Sequence, residues 1–401
     1  YEFPPETGHG GIGTYTWYQS RALAKLGVEV HVLAGASEPT PIRTTELDGV
    51  QAHRFHLQNR FMRTLMRCGG DSLSWTKNRL RNAVSMRSGL KQLCRDHEFD
   101  VIEVPECGAE GAFLDWVGET PMVVRLHSPA RLIMPFYGVG SVDTSLCCSL
   151  ERRALRRASA ITSCSRFLAE ESHQKLGIDR PIQVIPNGID LELFDAADHI
   201  DVRRRFGLPG DRPIVLFAGR LERRKGIHLC ADICTSILKE FEVDFLFAGE
   251  DTDGFFELEL RSNLASEKMK GAVHHLGKLD MRSLRSCLCQ CDVFLLPSLW
   301  ENCPYSCLEA MAAGKPIVSS DQGGMREMIL DDETGLLAAS GDSASFVSQI
   351  RRLLDDAGLQ KRLGTAARRA VEATFSDARI ARLSLDHYQG VIDGTGYHRD
   401  Y

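Results

Sequence analysis

The stretch Asp292-Val293-Phe294-Leu295-Leu296-Pro297, leading through Ser298-Leu299-Trp300 into Glu301-Asn302-Cys303-Pro304-Tyr305-Ser306-Cys307-Leu308-Glu309, decides the fold. Its first part is an apolar run of strand length, read as a parallel strand buried on both faces. Its last part passes into Ala310-Met311-Ala312-Ala313-Gly314, a short helix closed by glycine. Glu301 therefore sits in a strand-to-helix loop, and Glu309 lies about two helical turns further on. Open α/β sheets bind ligands at that end of a strand, and a helix start offers N–H groups to an anion. A carboxylate there accepts hydrogen bonds from sugar hydroxyls while the helix start holds phosphate. The arrangement suits a nucleotide-sugar.

Outward from this stretch, strand-like runs alternate with helical patterns along almost the whole chain, which predicts parallel sheets flanked by helices. The strand candidates are 28–33, 99–104, 121–126, 158–164 and 182–185, then 213–218, 243–248, 273–276, 292–297 and 316–319. Helical periodicity covers 14–26, 227–240, 257–268 and much of 346–375. Two series of similar length predict two Rossmann-like, doubly wound α/β domains facing each other across a cleft. Their joint follows the turn-rich Pro186-Asn187-Gly188-Ile189-Asp190. The domains are read as 1–195 and 196–375, with a last helix in 376–401 packing back on the first.

A chain of 401 residues is long enough for two cores. A net charge of −6 argues against nucleic acid as a partner, a function that leaves a basic balance. No apolar stretch is long enough to cross a bilayer. The chain opens at Tyr1 without methionine, and Tyr1-Glu2-Phe3-Pro4-Pro5 reads as the tail of a strand begun upstream, which leaves a targeting segment open. Thirteen cysteines form an odd set, and Cys164, Cys230 and Cys234 occupy apolar positions. Reduced thiols in the cytoplasm are the expectation.

Three further constellations bear on chemistry. Gly8-His9-Gly10-Gly11-Ile12-Gly13 satisfies G-x-G-x-x-G formally. A dinucleotide site would also need an acid ending the second strand, where this chain has Leu33-Ala34-Gly35. That argues against a nicotinamide or flavin oxidoreductase and leaves two readings, a plain turn or N–H groups from Gly11 onward facing a phosphate. In Gly219-Arg220-Leu221-Glu222-Arg223-Arg224-Lys225-Gly226, after the first strand of the second domain, Arg220 and Lys225 can neutralise a departing diphosphate. The competing reading is a solvated basic loop. His127 stands at a strand end, in a place where a histidine is either structural or catalytic.

Asp251-Thr252-Asp253 and Cys287-x-Cys289-x-Cys291 are read as structural, the second because its spacing does not suit zinc. Within 60–95, Arg60, Arg63, Arg67, Lys77, Arg79, Arg81, Arg87, Lys91 and Arg95 are interleaved with apolar residues. The segment reads as a peripheral contact with an anionic membrane, or as a solvated helical face.

Taken together, these pieces resemble the glycosyltransferase family 4 enzymes of GT-B fold, over nearly the whole chain. Gly10-Gly11-Ile12-Gly13 is similar to the family's N-terminal glycine loop, His127 to its first-domain histidine, and Gly219-Arg220 with Lys225-Gly226 to its phosphate-binding pair. Glu301 to Glu309 resembles its E-x₇-E signature, and Gly323-Gly324-Met325-Arg326-Glu327 with Thr334-Gly335-Leu336-Leu337 its C-terminal signature. The resemblance implies a retaining transferase that takes a sugar from a UDP-, GDP- or ADP-sugar, with no cofactor and no obligatory metal. A glycan or lipid-linked acceptor would lie on the first domain, in glycan, polysaccharide or glycolipid biosynthesis. Glu301 would meet the transferred sugar, Glu309 the ribose hydroxyls, and Arg220 and Lys225 the diphosphate. Pro304 stands where the family often has glycine, so a backbone contact there passes to Tyr305 or Ser306. The rival readings are a nucleotide-sugar epimerase on the same fold and a silent nucleotide-sugar binder.

Overall fold

The computed structural model describes residues 2–4, 6–7, 10–38, 40–56, 73–115, 120–196, 198–264 and 266–395. The chain divides into two compact units: Tyr1–Gly188 together with Asp377–Tyr401, and Ile189–Ser376. The first crossing thus falls earlier than the 195/196 boundary read from sequence. Ile189 already pairs with Ser376 in a parallel bridge and donates to Phe375 O, which ties it to the second unit.

In the first unit, β1 (Val30–Gly35), β2 (Arg43–Leu47) and β3 (Val50–Phe55) form one sheet in the order β1-β3-β2. The strands β4 (Ile102–Pro105), β5 (Met122–Leu126), β6 (Ala160–Ser163) and β7 (Ile182–Val184) form another, parallel in chain order. The helix Gly11–Lys25 buries Ala22 and Leu23 against Val123 of β5 and against Ala381 and Tyr388 of the last helix, Asp377–Ile392. The Tyr388 hydroxyl donates to Glu103 at 2.7 Å, and Tyr15 donates to the other oxygen of the same carboxylate at 2.8 Å.

The second unit carries six parallel strands: β8 (Ile214–Ala218), β9 (Asp244–Ala248), β10 (Val273–Gly277), β11 (Val293–Leu296), β12 (Ile317–Ser320) and β13 (Leu336–Ala338). Their order is β10-β9-β8-β11-β12-β13. Winding goes outward one way from β8 and the other way from β11, so the order reverses between those two. That switch point is where a doubly wound sheet opens a crevice at its carboxyl ends. The strands are near-continuous apolar runs because helices cover both faces; β8, β9 and β11 are buried at every position.

Three segments differ from expectation. The helix read over 257–268 is broken into a π turn at Phe256–Leu260, a 3₁₀ turn at Arg261–Asn263 and a short helix at Glu267–Lys270. Asp251 accepts from the N–H groups of Phe255 (2.8 Å) and Phe256 (3.0 Å) and thereby sets the start of this irregular run. The pair β2–β3 was not read as strands. The basic segment lies outside the described residues up to residue 72, and from there its helix, Ser74–Leu93, turns inward rather than presenting a solvated face. Lys77 and Arg79 are buried, Arg79 pairs with buried Glu151 at 3.3 Å, and Arg87 donates to Phe113 O at 3.1 Å. Lys91 and Arg95 are the exposed cations of its described part.

Candidate active site

Two loops meet at the switch point. After β8, the chain runs from Gly219 to Gly226 and into the helix Ile227–Ile237; after β11, it runs from Pro297 into the helix Tyr305–Ala312. Leu299 N–H donates to Arg224 O at 2.8 Å, and the buried Arg224 guanidinium donates to Trp300 O at 3.1 Å. Gly226 makes the approach possible. At φ 80° it has a conformation glycine favours, and a Cβ there would lie 2.1 Å from Pro297 O.

This stitching delivers Lys225 to Glu301. The ammonium donates to Glu301 Oε1, and Arg224 stands 3.5 Å from the same oxygen. Burial drives the Glu301 carboxyl upward, but the charges of Lys225 and Arg224 outweigh it and hold the group below its ordinary value. Burial lowers Lys225 below the usual ammonium range, and Glu301 opposes that shift. Glu222 gathers the rest of the loop, accepting from Arg224 at 2.8 Å and lying 3.5 Å from Arg220. Arg220 is largely exposed at the rim.

Glu309, on the helix Tyr305–Ala312, is buried too, but its surroundings differ. Among the described residues nothing donates to its carboxylate, and burial alone pushes it up to about 7. Pro304 is the cap of this helix rather than part of its first turn, with φ −72° and ψ 133°. Its carbonyl accepts from Cys307 and Leu308 N–H, so the N–H groups of Tyr305 and Ser306 lie ahead of the first intrahelical bond. The Gly323-Gly324 turn braces the loop from behind: Gly324 N–H donates to Glu301 O at 2.9 Å. Arg220, Lys225, Glu301, Tyr305, Ser306 and Glu309 thus share the carboxyl edge of one sheet.

In the first unit His127 follows β5 and is buried, its ring 5.0 Å edge-on from Tyr15. Burial, with Arg125 nearby, holds its pKa well below the ordinary value, so the imidazole is neutral at pH 7. Its loop hangs on two acids that sequence reading passed over. Glu106 accepts from His127 N–H (2.8 Å) and Ser128 N–H (2.6 Å), and Glu151 accepts from Ala130 N–H (2.9 Å). Burial pushes them up to about 7 and about 8 against those hydrogen bonds and, for Glu151, the charge of Arg79. The one sequence signal for Glu106 is its place directly after Pro105, at the end of β4.

Gly11 opens the helix Gly11–Lys25 and is exposed, while Gly8 and His9 lie outside the described residues. Gly13 N–H already donates to the Glu2 carboxylate at 3.3 Å, and Thr14 N–H to Gly10 O. A carboxylate thus holds one of the N–H groups assigned above to a phosphate. Asp251 serves its own loop. Cys287 and Cys291 are packed thiols that burial raises to about 12, so the structural readings of both motifs match their surroundings.

Two family models meet this chain in succession. Glycosyltransferase Family 4 matches residues 9–193, and Glycosyl transferases group 1 matches residues 198–370. The chain is 27% identical over 398 residues to a D-inositol 3-phosphate glycosyltransferase from Xylanimonas cellulosilytica, covering 96% of this chain and 93% of that one. It is 29% identical over 387 residues to a 2-deoxystreptamine glucosyltransferase from Streptomyces kanamyceticus, covering 93% and 97%. In fold it is similar to the catalytic domain of starch synthase IV from Arabidopsis thaliana, with a TM-score of 0.75 at 17% identity over 98% of each chain. Together the two models take in most of both halves of the chain, and the chain belongs to the family 4 glycosyltransferases of GT-B fold.

Proposed function

We propose that this glycosyltransferase moves a sugar from a nucleoside-diphosphate sugar to an acceptor hydroxyl, with retention of configuration and without an obligatory metal. The observation that carries the reading is the contrast between two glutamates at one switch point. Glu301 is held ionised by cations already in place, whereas the Glu309 carboxylate is buried with nothing donating to it among the described residues. A buried acceptor lacking donors is completed by a ligand that brings them, and ribose hydroxyls do so. Glu301 then accepts from the transferred sugar. Arg220 and Lys225 stabilise the departing diphosphate, and the N–H groups of Tyr305 and Ser306 reach its oxygens. The starch synthase IV domain was solved with ADP and acarbose, which supports a nucleoside diphosphate as leaving group. The acceptor, a glycan or a lipid-linked sugar, is assigned to the first unit, with His127 at its strand end.

The test is nucleotide release from UDP-, GDP- and ADP-sugars in the presence of chelator, with Glu301→Ala alongside. Release from one donor, at least 100-fold slower in the variant, is the expected result. Interconversion of the sugar without release would instead assign an epimerase. Absence of both release and nucleotide-induced thermal stabilisation would overturn the reading.

Glu309 makes a second expectation. Its folded-state pKa is raised, so the carboxyl gains a proton as pH falls through about 7. Ribose hydroxyls favour the ionised acceptor, and donor affinity rises as pH increases through that value. Glu309→Gln binds roughly 10-fold more weakly and loses the pH step, since a charged acceptor contributes about 1.5 kcal/mol or more. Calorimetric titration across pH reads both; a flat wild-type profile would remove the ribose role.

A further inference from the structure

We propose that Glu29, His31 and His97 bind a divalent transition-metal ion of the zinc class, at the N-terminal end of β1. Two segments converge there. His31 lies on β1, Glu29 just precedes that strand, and His97 follows the helix Ser74–Leu93, its N–H bonded to Leu93 O at 3.0 Å. One donor atom from each lies within 4.8 Å of the other two. His31 Nε2 and Glu29 Oε1 are 3.0 Å apart, and the His31 and His97 rings meet edge to face with centroids at 4.5 Å. Two ligands of a tetrahedral zinc ion with bonds of ~2.1 Å stand roughly 3.4 Å apart, so the set closes on an ion by small side-chain rotations. Glu29 is 81% exposed and free to make its share of them.

Behind His31 lies the support that an imidazole ligand needs. His31 Nδ1 is 2.9 Å from His53 Nε2, and His53 Nδ1 is 2.8 Å from Thr44 Oγ1. Register places the two rings on one face, since β1 pairs His31 with Gln51 and Leu33 with His53. His53 is buried on β3 and faces His31 and His97 from there. The chain of bonds runs in either direction, each ring keeping one proton. With the proton on Nε2, His31 donates to Glu29. With it on Nδ1, His31 donates to His53, which donates to Thr44, and the Nε2 lone pair turns toward the Glu29 carboxylate. A cation between them satisfies both, and the relay fixes ring and tautomer as outer partners of metal-bound histidines do. Two imidazoles and one carboxylate suit zinc, nickel or copper rather than magnesium. A metal here would tie the start of β1 to the 94–98 loop, away from the strand ends that carry His127.

Cobalt(II) titration of the untagged chain under reducing conditions tests the assignment, because its spectrum tells nitrogen and oxygen ligands from thiolate. We expect one equivalent to bind without a thiolate charge-transfer band, to be displaced by Zn²⁺ and not by Mg²⁺, and to bind at least tenfold more weakly in His97→Ala and in Glu29→Gln. Glu29 is a surface residue, so the second variant reports on binding with the fold intact. Absence of saturable binding, a thiolate spectrum, or affinity unchanged in either variant would overturn the proposal.

Discussion

Lys225→Ala lowers stability by about 3 kcal/mol and turnover by roughly 100-fold or more. The size of the first effect comes from what the substitution leaves behind. Glu301 is 9% exposed at its side chain and Lys225 14%, so removing the ammonium strands a carboxylate in a site that water barely reaches. Arg224, at 3.5 Å from the shared oxygen, offsets only part of the loss, because its guanidinium is already committed to Glu222 and Trp300 O. The paired variant Lys225→Met/Glu301→Gln separates the two effects. It removes both charges at similar volume and regains most of the stability, because a buried ion pair contributes little net stabilisation over uncharged replacements. Its turnover stays low, because in the proposed scheme the leaving diphosphate still lacks its cation. Calorimetric unfolding and nucleotide release read the two quantities. A Lys225→Ala protein with wild-type stability and turnover would make the basic loop solvated surface, and a double variant as unstable as the single one would show that packing, not charge, binds the pair.

Gly324→Ala costs about 2–3 kcal/mol and about 100-fold in activity, although the residue touches no substrate in the proposed scheme. Its φ of −70° suits any residue, so backbone strain plays no part. The cost is contact: a Cβ at Gly324 would stand 1.6 Å from Asn302 O, and a backbone carbonyl cannot rotate aside. Either the turn retreats and loses its bond to Glu301 O, or the 301–302 backbone moves and takes the Glu301 carboxylate with it. Gly140→Ala is the control, with φ −58° and nothing within 4 Å of the new carbon, and should match the parent in both assays. Normal activity in Gly324→Ala would mean that the Glu301 loop tolerates displacement and that its position is not set by this turn.

The parallel strands of the second unit were legible because burial on both faces writes itself as an apolar run; β8 reads Ile-Val-Leu-Phe-Ala. The hairpin β2–β3 was not, because β2 is exposed and polar and β3 buries His53 and Arg54. Its turn was nevertheless signalled by Asp48-Gly49, both at positive φ (52° and 81°), the dipeptide that closes tight hairpins. In the site, spacing placed Glu301, Arg220 and Lys225 in loops that follow strands and Glu309 on the helix after Glu301. That Lys225 and Glu301 touch was beyond it, because β8 and β11 are neighbours only through a strand order that skips β9 and β10. Arg224, Glu106 and Glu151 were missed for another reason. A charged residue is read as surface by default, and its burial is decided by partners far along the chain, such as Trp300 O for Arg224.

The last helix, Asp377–Ile392, belongs to the unit in which the chain begins. The second unit is one uninterrupted segment, whereas the first lacks the Tyr388–Glu103 bond and the burial of Ala381 until the final stretch has been made. On the ribosome the order of completion is therefore reversed: the half translated second closes first, and the half translated first waits with an apolar groove beside the helix Gly11–Lys25. A nascent chain stalled or cleaved after residue 376 would present a finished nucleotide-type sheet joined to an unfinished partner, and that partner is the half on which chaperones and proteases would act.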